Sequence, residues 1–434
     1  MTSSVSVSSA PAQARNTRRR VIVACFLGNF VEWFDYAMYG YLAVVISQVF
    51  FPAGNPTVNL LATFGVFAMS FIVRPFGGIF WGYIGDKLGR KTALSLSILI
   101  MSGSTFLIAF LPTYQAIGLL APLLLLLTRM VQGFSAAGEY AGAAAFLAEY
   151  APDRRRGLQT SVVPASTAAG LLFGSLFATM LSSILDPEQM VSFGWRLPFL
   201  LALPLGLIGW YIRTKLEDTP AFRELTHDEH VASAPIRETL IHNRKAIGLA
   251  FGATLLNAVG FYMLLSYMPT YLSDELGLGQ TEAFVATAIS LASYVGFIFA
   301  AGALSDRFGR KRMLVTAAGL FVILTVPLFG VLPHVGFLGV VLVLVTLGAL
   351  LSMNDGTLAC FLVEAFPTKV RYTGFAFSFN TANALFGGTA PFVATLLIHT
   401  TGSAVAPAWY LTGAAVITLV AMLASPETAG TSLR

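Results

Sequence analysis

Four acidic residues sit where charge is expensive. Glu32, Asp35, Glu139 and Asp355 each fall within a long, mostly apolar run, and an ionised side chain at the centre of a bilayer costs at least a few kcal/mol. Glu32 and Asp35 are three residues apart, so on a helix they share a face with Asn29 and Tyr36. Two carboxylates one turn apart in low dielectric disfavour each other's charged form, so one of them can bind and release a proton. The structural alternative is an ion pair with Arg74 or Arg129, and both readings stay open. Arg129 and Glu139 are ten residues apart, which puts them at different levels and on different faces. Arg129 is the best single candidate for a proton relay or for holding a bound carboxylate, against a fixed ion pair. Arg74 lies eight residues before Gly82, about 12 Å along a helix, and reads as a gate or structural pair rather than a ligand.

Further polar residues could line a cavity: Asn257, Tyr262 and Tyr267 in one apolar run, Asn380 and Asn383 in another, and Asp355 in Ser352-Met-Asn-Asp-Gly356. Hydrogen bonding between helices explains each of them equally well. The aromatic run from Phe261 to Tyr271 would suit a quaternary ammonium through cation–π attraction, and would equally suit plain packing. Neither a metal ligand set nor a nucleophile motif is expected. Cys25 and Cys360 stand alone in apolar runs, His227, His230 and His242 fall in one polar stretch, and His334 and His399 fall at the ends of runs. The sequence therefore implies no metal, no cofactor and no enzyme.

The elements that must hold these residues are membrane helices. The chain has 434 residues, 56% hydrophobic and only 11% charged, with a mean hydropathy of +0.75. A soluble chain carries about twice that charge. Twelve apolar runs of spanning length can be read: roughly 21–48, 57–81, 92–111, 115–147, 158–184, 196–213, 246–272, 282–303, 313–333, 335–362, 372–399 and 406–424. The expected organisation is a disordered tail over 1–20, a six-helix bundle over 21–213, a loop over 214–245, a second bundle over 246–425 and a tail over 426–434. The first run is too long and too acidic for a cleaved signal. Lys and Arg cluster on alternate connections only, around Arg18, Lys87, Arg155, Lys215, Arg310 and Lys369. Positive residues mark the cytoplasmic side, so both termini are expected there. The basic balance is thus topological and implies no nucleic acid. The bilayer is the expected partner, and the chain is expected to act as a monomer.

The two halves repeat. Gly82-Tyr-Ile-Gly-Asp-Lys-Leu-Gly-Arg-Lys91 recurs 220 residues on as Gly302-Ala-Leu-Ser-Asp-Arg-Phe-Gly-Arg-Lys311, counted from Gly82 to Gly302. A second pair starts at Glu149 and Glu364, with Pro152 and Pro367 in corresponding places. Parallel copies imply a pseudo-twofold axis along the membrane normal and a cavity between the halves. Asp86 and Asp306 in the first pair can meet helix N-termini, which favour a carboxylate. Arg90, Lys91, Arg310 and Lys311 can bridge to an acid of the other half, Glu149 or Glu364, and so lock the cytoplasmic side. Plain topological charge is the alternative.

These loops, with Arg129-Met-Val-Gln132-Gly133, resemble the major facilitator superfamily. Gly28-Asn-Phe-Val-Glu-Trp-Phe-Asp-Tyr36, Arg74-Pro-Phe-Gly-Gly78, Gln132-Gly-Phe-Ser-Ala-Ala-Gly-Glu-Tyr140 and Gly194-Trp-Arg-Leu-Pro-Phe199 resemble its metabolite:proton symporter family. The resemblance runs from about residue 20 to 425 and implies an all-α membrane fold of two six-helix bundles. It also implies proton-coupled symport of a small polar metabolite in an inner membrane. Known members carry proline and betaine, or carboxylates such as oxoglutarate, citrate and shikimate. Phe261–Leu272 is similar to the proline/betaine members, whereas Asp355 departs from them. Ser161–Gly170 lacks the Gly-Pro pattern of drug/proton antiporters, so efflux is disfavoured. The sequence to Arg434 shows no coiled coil of the kind seen in osmosensing members, so osmotic activation is not implied. A channel is disfavoured by the two-half repeat. One arginine against four interior carboxylates, with Arg74 nearer the gate, tilts the reading toward a zwitterion over a mono-, di- or tricarboxylate.

Overall fold

The computed structural model describes residues 10–52, 54–227 and 234–433. Twelve of its helices are long and apolar enough to cross a membrane: α1 (Asn16–Tyr41), α2 (Val58–Lys87), α3 (Arg90–Ile108), α4 (Leu120–Tyr150), α5 (Asp153–Ile184), α6 (Arg196–Thr214), α7 (Arg244–Glu275), α8 (Thr281–Phe308), α9 (Arg310–His334), α10 (Phe337–Glu364), α11 (Thr368–Thr401) and α12 (Ala406–Ala424). There is no strand among the described residues. A helix satisfies its backbone groups internally, which lipid requires.

Three segments read in the sequence as tail or loop carry structure. Residues 1–9 and His230 lie outside the described residues, but the expected tail is already helical from Ala10. Ala, Gln and Arg favour helix, and Pro11 falls in the first turn where proline is tolerated. The stretch 214–245 contains two short helices, Pro220–His227 and Pro235–His242. The segment after α12 returns to the protein: Glu427 accepts from the backbone N–H of Arg310 at 2.8 Å.

Within the first half α1 packs along α5 and α3 along α6; within the second, α8 packs along α10, and α12 along both α7 and α9. Contact between halves runs mainly along α2 with α11 and along α5 with α8. The motif glycines permit this approach. A Cβ on Gly82 would collide with the backbone of Thr373 on α11, and one on Gly302 with the backbone of Gly157 on α5. Gly89 and Gly309, which join α2 to α3 and α8 to α9, take φ of 104° and 101°, a region costly to residues with a Cβ.

Several helices are irregular at mid-membrane. The α2 helix breaks at Val73, just before Arg74 and Pro75. A π turn spans Tyr262–Tyr267 in α7 and another spans Asn383–Gly387 in α11. Such turns widen a helix and free backbone groups, often at functional places.

Candidate transport site

The break in α2 sends Arg74 inward to the middle of the molecule. Its guanidinium donates to Glu32 of α1 at 2.6 Å and sits 4.9 Å from the ring centroids of both Tyr36 and Phe71. Trp33, one residue from Glu32, lies 5.0 Å from Phe261 and 6.0 Å from Tyr262 across the interface, and Phe71 lies 5.6 Å from Tyr262. An aromatic box drawn from both halves therefore surrounds one ion pair. All of it is buried, yet Trp33 Nε1, Tyr262 Oη, Glu32 Oε2 and Arg74 Nε have no hydrogen-bond partner. Orphaned polar atoms in a low-dielectric interior cost roughly 1–3 kcal/mol each, and these four belong to one cluster of residues. The sequence reading gave Arg74 as a gate or structural pair and as a possible partner of Glu32; the ion pair with Glu32 is the structural alternative, and the α2 break brings it here.

The other interior carboxylates are held separately. Asp35 accepts from Arg129 at 2.6 Å, and Arg129 also donates to Gln132 and lies 3.7 Å from the Tyr39 ring centroid. Gln132 in turn bonds Thr105. These partners belong to the first half, so Arg129 stands inside that bundle rather than on the interface. Glu139 pairs with Arg213, which also donates to the carbonyls of Leu94 (2.7 Å) and Ala24 (3.1 Å). Arg213 stands at the end of α6, where the sequence reading ends its sixth apolar run, and its side chain folds back inward. Glu32 and Asp35 thus each have an arginine of their own, and the interior holds three arginines against four carboxylates.

The fourth carboxylate is Asp355 on α10. It is fully buried and accepts from Tyr294 Oη of α8 at 2.5 Å and from Asn354 Nδ2 at 2.9 Å. Asn257 of α7 stands alongside it. Neither Tyr294 nor Tyr140 of α4, which lies within electrostatic reach of Asp355, is among the sequence candidates.

Other candidates turn elsewhere. Asn29 donates to the Val163 carbonyl (2.9 Å) and to Thr167 (2.6 Å), fastening α1 to α5. Asn380 donates to the Ala137 carbonyl at 2.8 Å and seals α11 against α4. Asn383 bonds within its own helix, and Tyr267 pairs with Thr395 at 2.9 Å. The bonds these four make lie between or within helices.

On the side of the repeated loops the halves are locked. Asp86 accepts from the backbone N–H groups of Tyr372 (3.1 Å) and Thr373 (2.8 Å) at a helix start in the other half. Asp306 does the same for Gly157 (2.8 Å) and Leu158 (2.9 Å). The expected bridges are corrected in their partners. Arg90 lies 3.4 Å from Glu149 and Arg310 lies 3.3 Å from Glu364, both within one half. The ion pairs that cross are Arg371–Glu149 at 2.8 Å and Arg156–Glu364 at 3.6 Å. Lys91 and Lys311 bond carbonyls, of Thr214 and Ser425 among others. Just past α6, Asp218 accepts from the Lys91 N–H, and burial pushes its carboxyl up from the ordinary aspartate value.

Two pseudo-symmetric bundles, a sealed side and a buried site at their interface define a secondary transporter of the alternating-access kind. The family model for the Major Facilitator Superfamily matches residues 25–391 and 250–432. The glycine betaine/proline/ectoine/pipecolic acid transporter OusA of Dickeya dadantii is 40% identical over 96% of this chain and 85% of its own length. The proline/betaine transporter of Escherichia coli K12 is 37% identical over the same shares. The solved proton:xylose symporter XylE, bound to 6-bromo-6-deoxy-D-glucose, superposes with a TM-score of 0.81 over 96% of this chain and 98% of its own, at 17% identity. The chain belongs to the major facilitator superfamily.

Proposed function

We propose that the protein is a proton-coupled symporter of a small zwitterion of the proline or glycine betaine type, working by alternating access in a bacterial inner membrane. The observation that carries the substrate class is the buried box around Arg74 and Glu32. Arg74, Trp33 Nε1 and Tyr262 Oη offer donors to a carboxylate. Glu32 Oε2 and the faces of Trp33, Tyr36 and Tyr262 offer negative charge and π surface to an ammonium. One cation beside one anion suits a ligand carrying both charges. A di- or tricarboxylate would add uncompensated negative charge to an interior whose arginines are already paired. The names of the relatives support the same class. Both termini are assigned to the cytoplasmic side from the alternation of Lys and Arg, and the unit of transport is taken to be the monomer.

The test is uptake of radiolabelled glycine betaine and proline by the purified protein in vesicles under an imposed pH gradient. Uptake that a protonophore abolishes, and that excess citrate or oxoglutarate leaves intact, supports the reading. Competition by the carboxylates and not by the zwitterions replaces it with a carboxylate symporter.

A further inference from the structure

The interior charges are matched with one exception. Arg74, Arg129 and Arg213 answer Glu32, Asp35 and Glu139. In the locked network Arg90 and Arg371 answer Glu149, and Arg310 and Arg156 answer Glu364. Among the described residues, Asp355 alone is a fully buried carboxylate with no cation beside it. We propose that Asp355 carries the coupling proton while the cytoplasmic side is closed, and releases it when the halves part. This rests on the symport reading above.

The surroundings of Asp355 suit a neutral acid. Its neighbours are Tyr294, Asn354, Asn257 and Tyr140, all uncharged. A lone carboxylate taken from water into such a place, even hydrogen-bonded, costs several kcal/mol as the anion, whereas the acid is tolerated. The charges of the helices packed against it are engaged elsewhere or stand at helix ends: Arg129, Glu139 and Glu149 of α4, Asp306 of α8, Arg156 of α5, Arg310 of α9 and Arg371 of α11 all have partners. Tyr294 Oη suits both protonation states. A hydroxyl can accept from the acid's O–H or donate to the carboxylate, so the partner stays the same when the proton leaves.

Position supplies the gate. Tyr140 comes from the first half and Asp355 from the second, and Tyr140 stacks on Phe379 of the second half at 4.3 Å between ring centroids. Separation of the halves on the locked side withdraws Tyr140 and admits water. The acid O–H bond then breaks, leaving the carboxylate, and water takes the proton as hydronium into the cytoplasm. The carboxylate must regain a proton from the outer side before the site closes again, which ties each cycle to one proton.

The experiment compares wild type, Asp355→Asn and Tyr294→Phe in proteoliposomes. Asp355→Asn should lose concentrative uptake of glycine betaine under a pH gradient, while exchange of labelled for unlabelled betaine persists and no longer varies with pH. In infrared spectra of the wild type, the C=O stretch of a protonated carboxyl should vanish on this substitution. Tyr294→Phe, which keeps the acid, should shift the pH profile of exchange without abolishing accumulation. Wild-type accumulation by Asp355→Asn overturns the proposal. So does loss of betaine's protection against heating in Asp355→Asn, since Asp355 would then hold substrate. If Asp355→Asn fails to insert, an unmoved pH profile in Tyr294→Phe overturns it. Should the wild type exchange neither betaine nor proline, the substrate reading fails, and the infrared band still decides the state of Asp355.

Discussion

Arg371 reaches across the two halves to Glu149 at 2.8 Å, and Arg156 approaches Glu364 at 3.6 Å in the pseudo-symmetric place. Each of these arginines opens the helix whose first N–H groups are capped by the motif aspartate of the opposite half, Asp86 or Asp306. The lock is thus made twice, each copy combining a charged pair with a cap at a helix start, where the dipole favours the carboxylate. All of these contacts lie between elements that must separate if the cavity is to open inward, so they weight one conformation against the other.

Removing one partner of the tighter pair should release that side. Arg371→Ala leaves Glu149 with Arg90 alone, and breaking a buried pair costs roughly 3–5 kcal/mol. The expected result is a population shifted to the inward-open form and uptake reduced at least about tenfold, because 1.4 kcal/mol already corresponds to that factor. Spin labels on the ends of α4 and α11 beside the lock should move apart. An unchanged distance distribution would refute the assignment of this pair to the lock.

Asp86→Asn should act more mildly than Asp86→Ala. Asparagine retains one acceptor oxygen for Tyr372 or Thr373 but loses its charge, so a cap worth about 1 kcal/mol is weakened rather than deleted. Transport should fall in the order wild type, asparagine, alanine, with the protein still inserted and monodisperse. Asp306→Asn should give a matching loss through Gly157 and Leu158. Equal uptake by all variants would reduce both loops to topological charge.

Asp218 gives a pH dependence to stability. Its carboxyl is pushed up by burial in the folded protein, so it binds its proton more tightly there than in the unfolded chain. The contribution is therefore present in full below the ordinary aspartate value of about 3.9, and is lost as pH rises through the folded value. Asp218→Asn should flatten that part of the profile. Melting temperatures of the two proteins, followed upward from about pH 4, should converge at the acid end and diverge above it, and parallel curves would contradict the assignment.

What was legible in the sequence was one-dimensional. Runs of apolar residues, the alternation of Lys and Arg, and the 220-residue step from Gly82 to Gly302 need no knowledge of helix rotation, and they led to the twelve helices and the family. Partner choice needed the rotation. Arg213 ends the sixth apolar run beside Lys215, Glu217 and Asp218, and nothing in that run shows that it turns back toward Glu139. Arg156 and Arg371 were legible as positive residues but not as the ones that cross between halves. Asn29 stands one turn before Glu32, yet it bonds α5 where Glu32 bonds Arg74 of α2. The π turns at Tyr262 and Asn383 follow no local signal in the sequence.

The proposed substrate site offers the last and most direct test. Trp33, Tyr36 and Tyr262 surround Arg74 and Glu32, and the box closes only because Phe261 and Tyr262 meet Trp33 from the other half. A trimethylammonium against such rings gains roughly 0.5–2 kcal/mol per face. Trp33→Leu should therefore raise the KM for glycine betaine by roughly 2- to 30-fold, at 1.4 kcal/mol per factor of ten. It should affect proline less, because its ammonium carries N–H groups that Glu32 Oε2 can accept. Glu32→Gln should invert that preference, costing proline more than betaine. Arg74→Lys keeps the charge but loses the planar fork that faces a carboxylate, so it should weaken both substrates. Kinetics of the two substrates on the three variants give a pattern that a merely structural role would not produce. If Trp33→Leu and Glu32→Gln depress both substrates in equal proportion, the box positions helices and binds nothing.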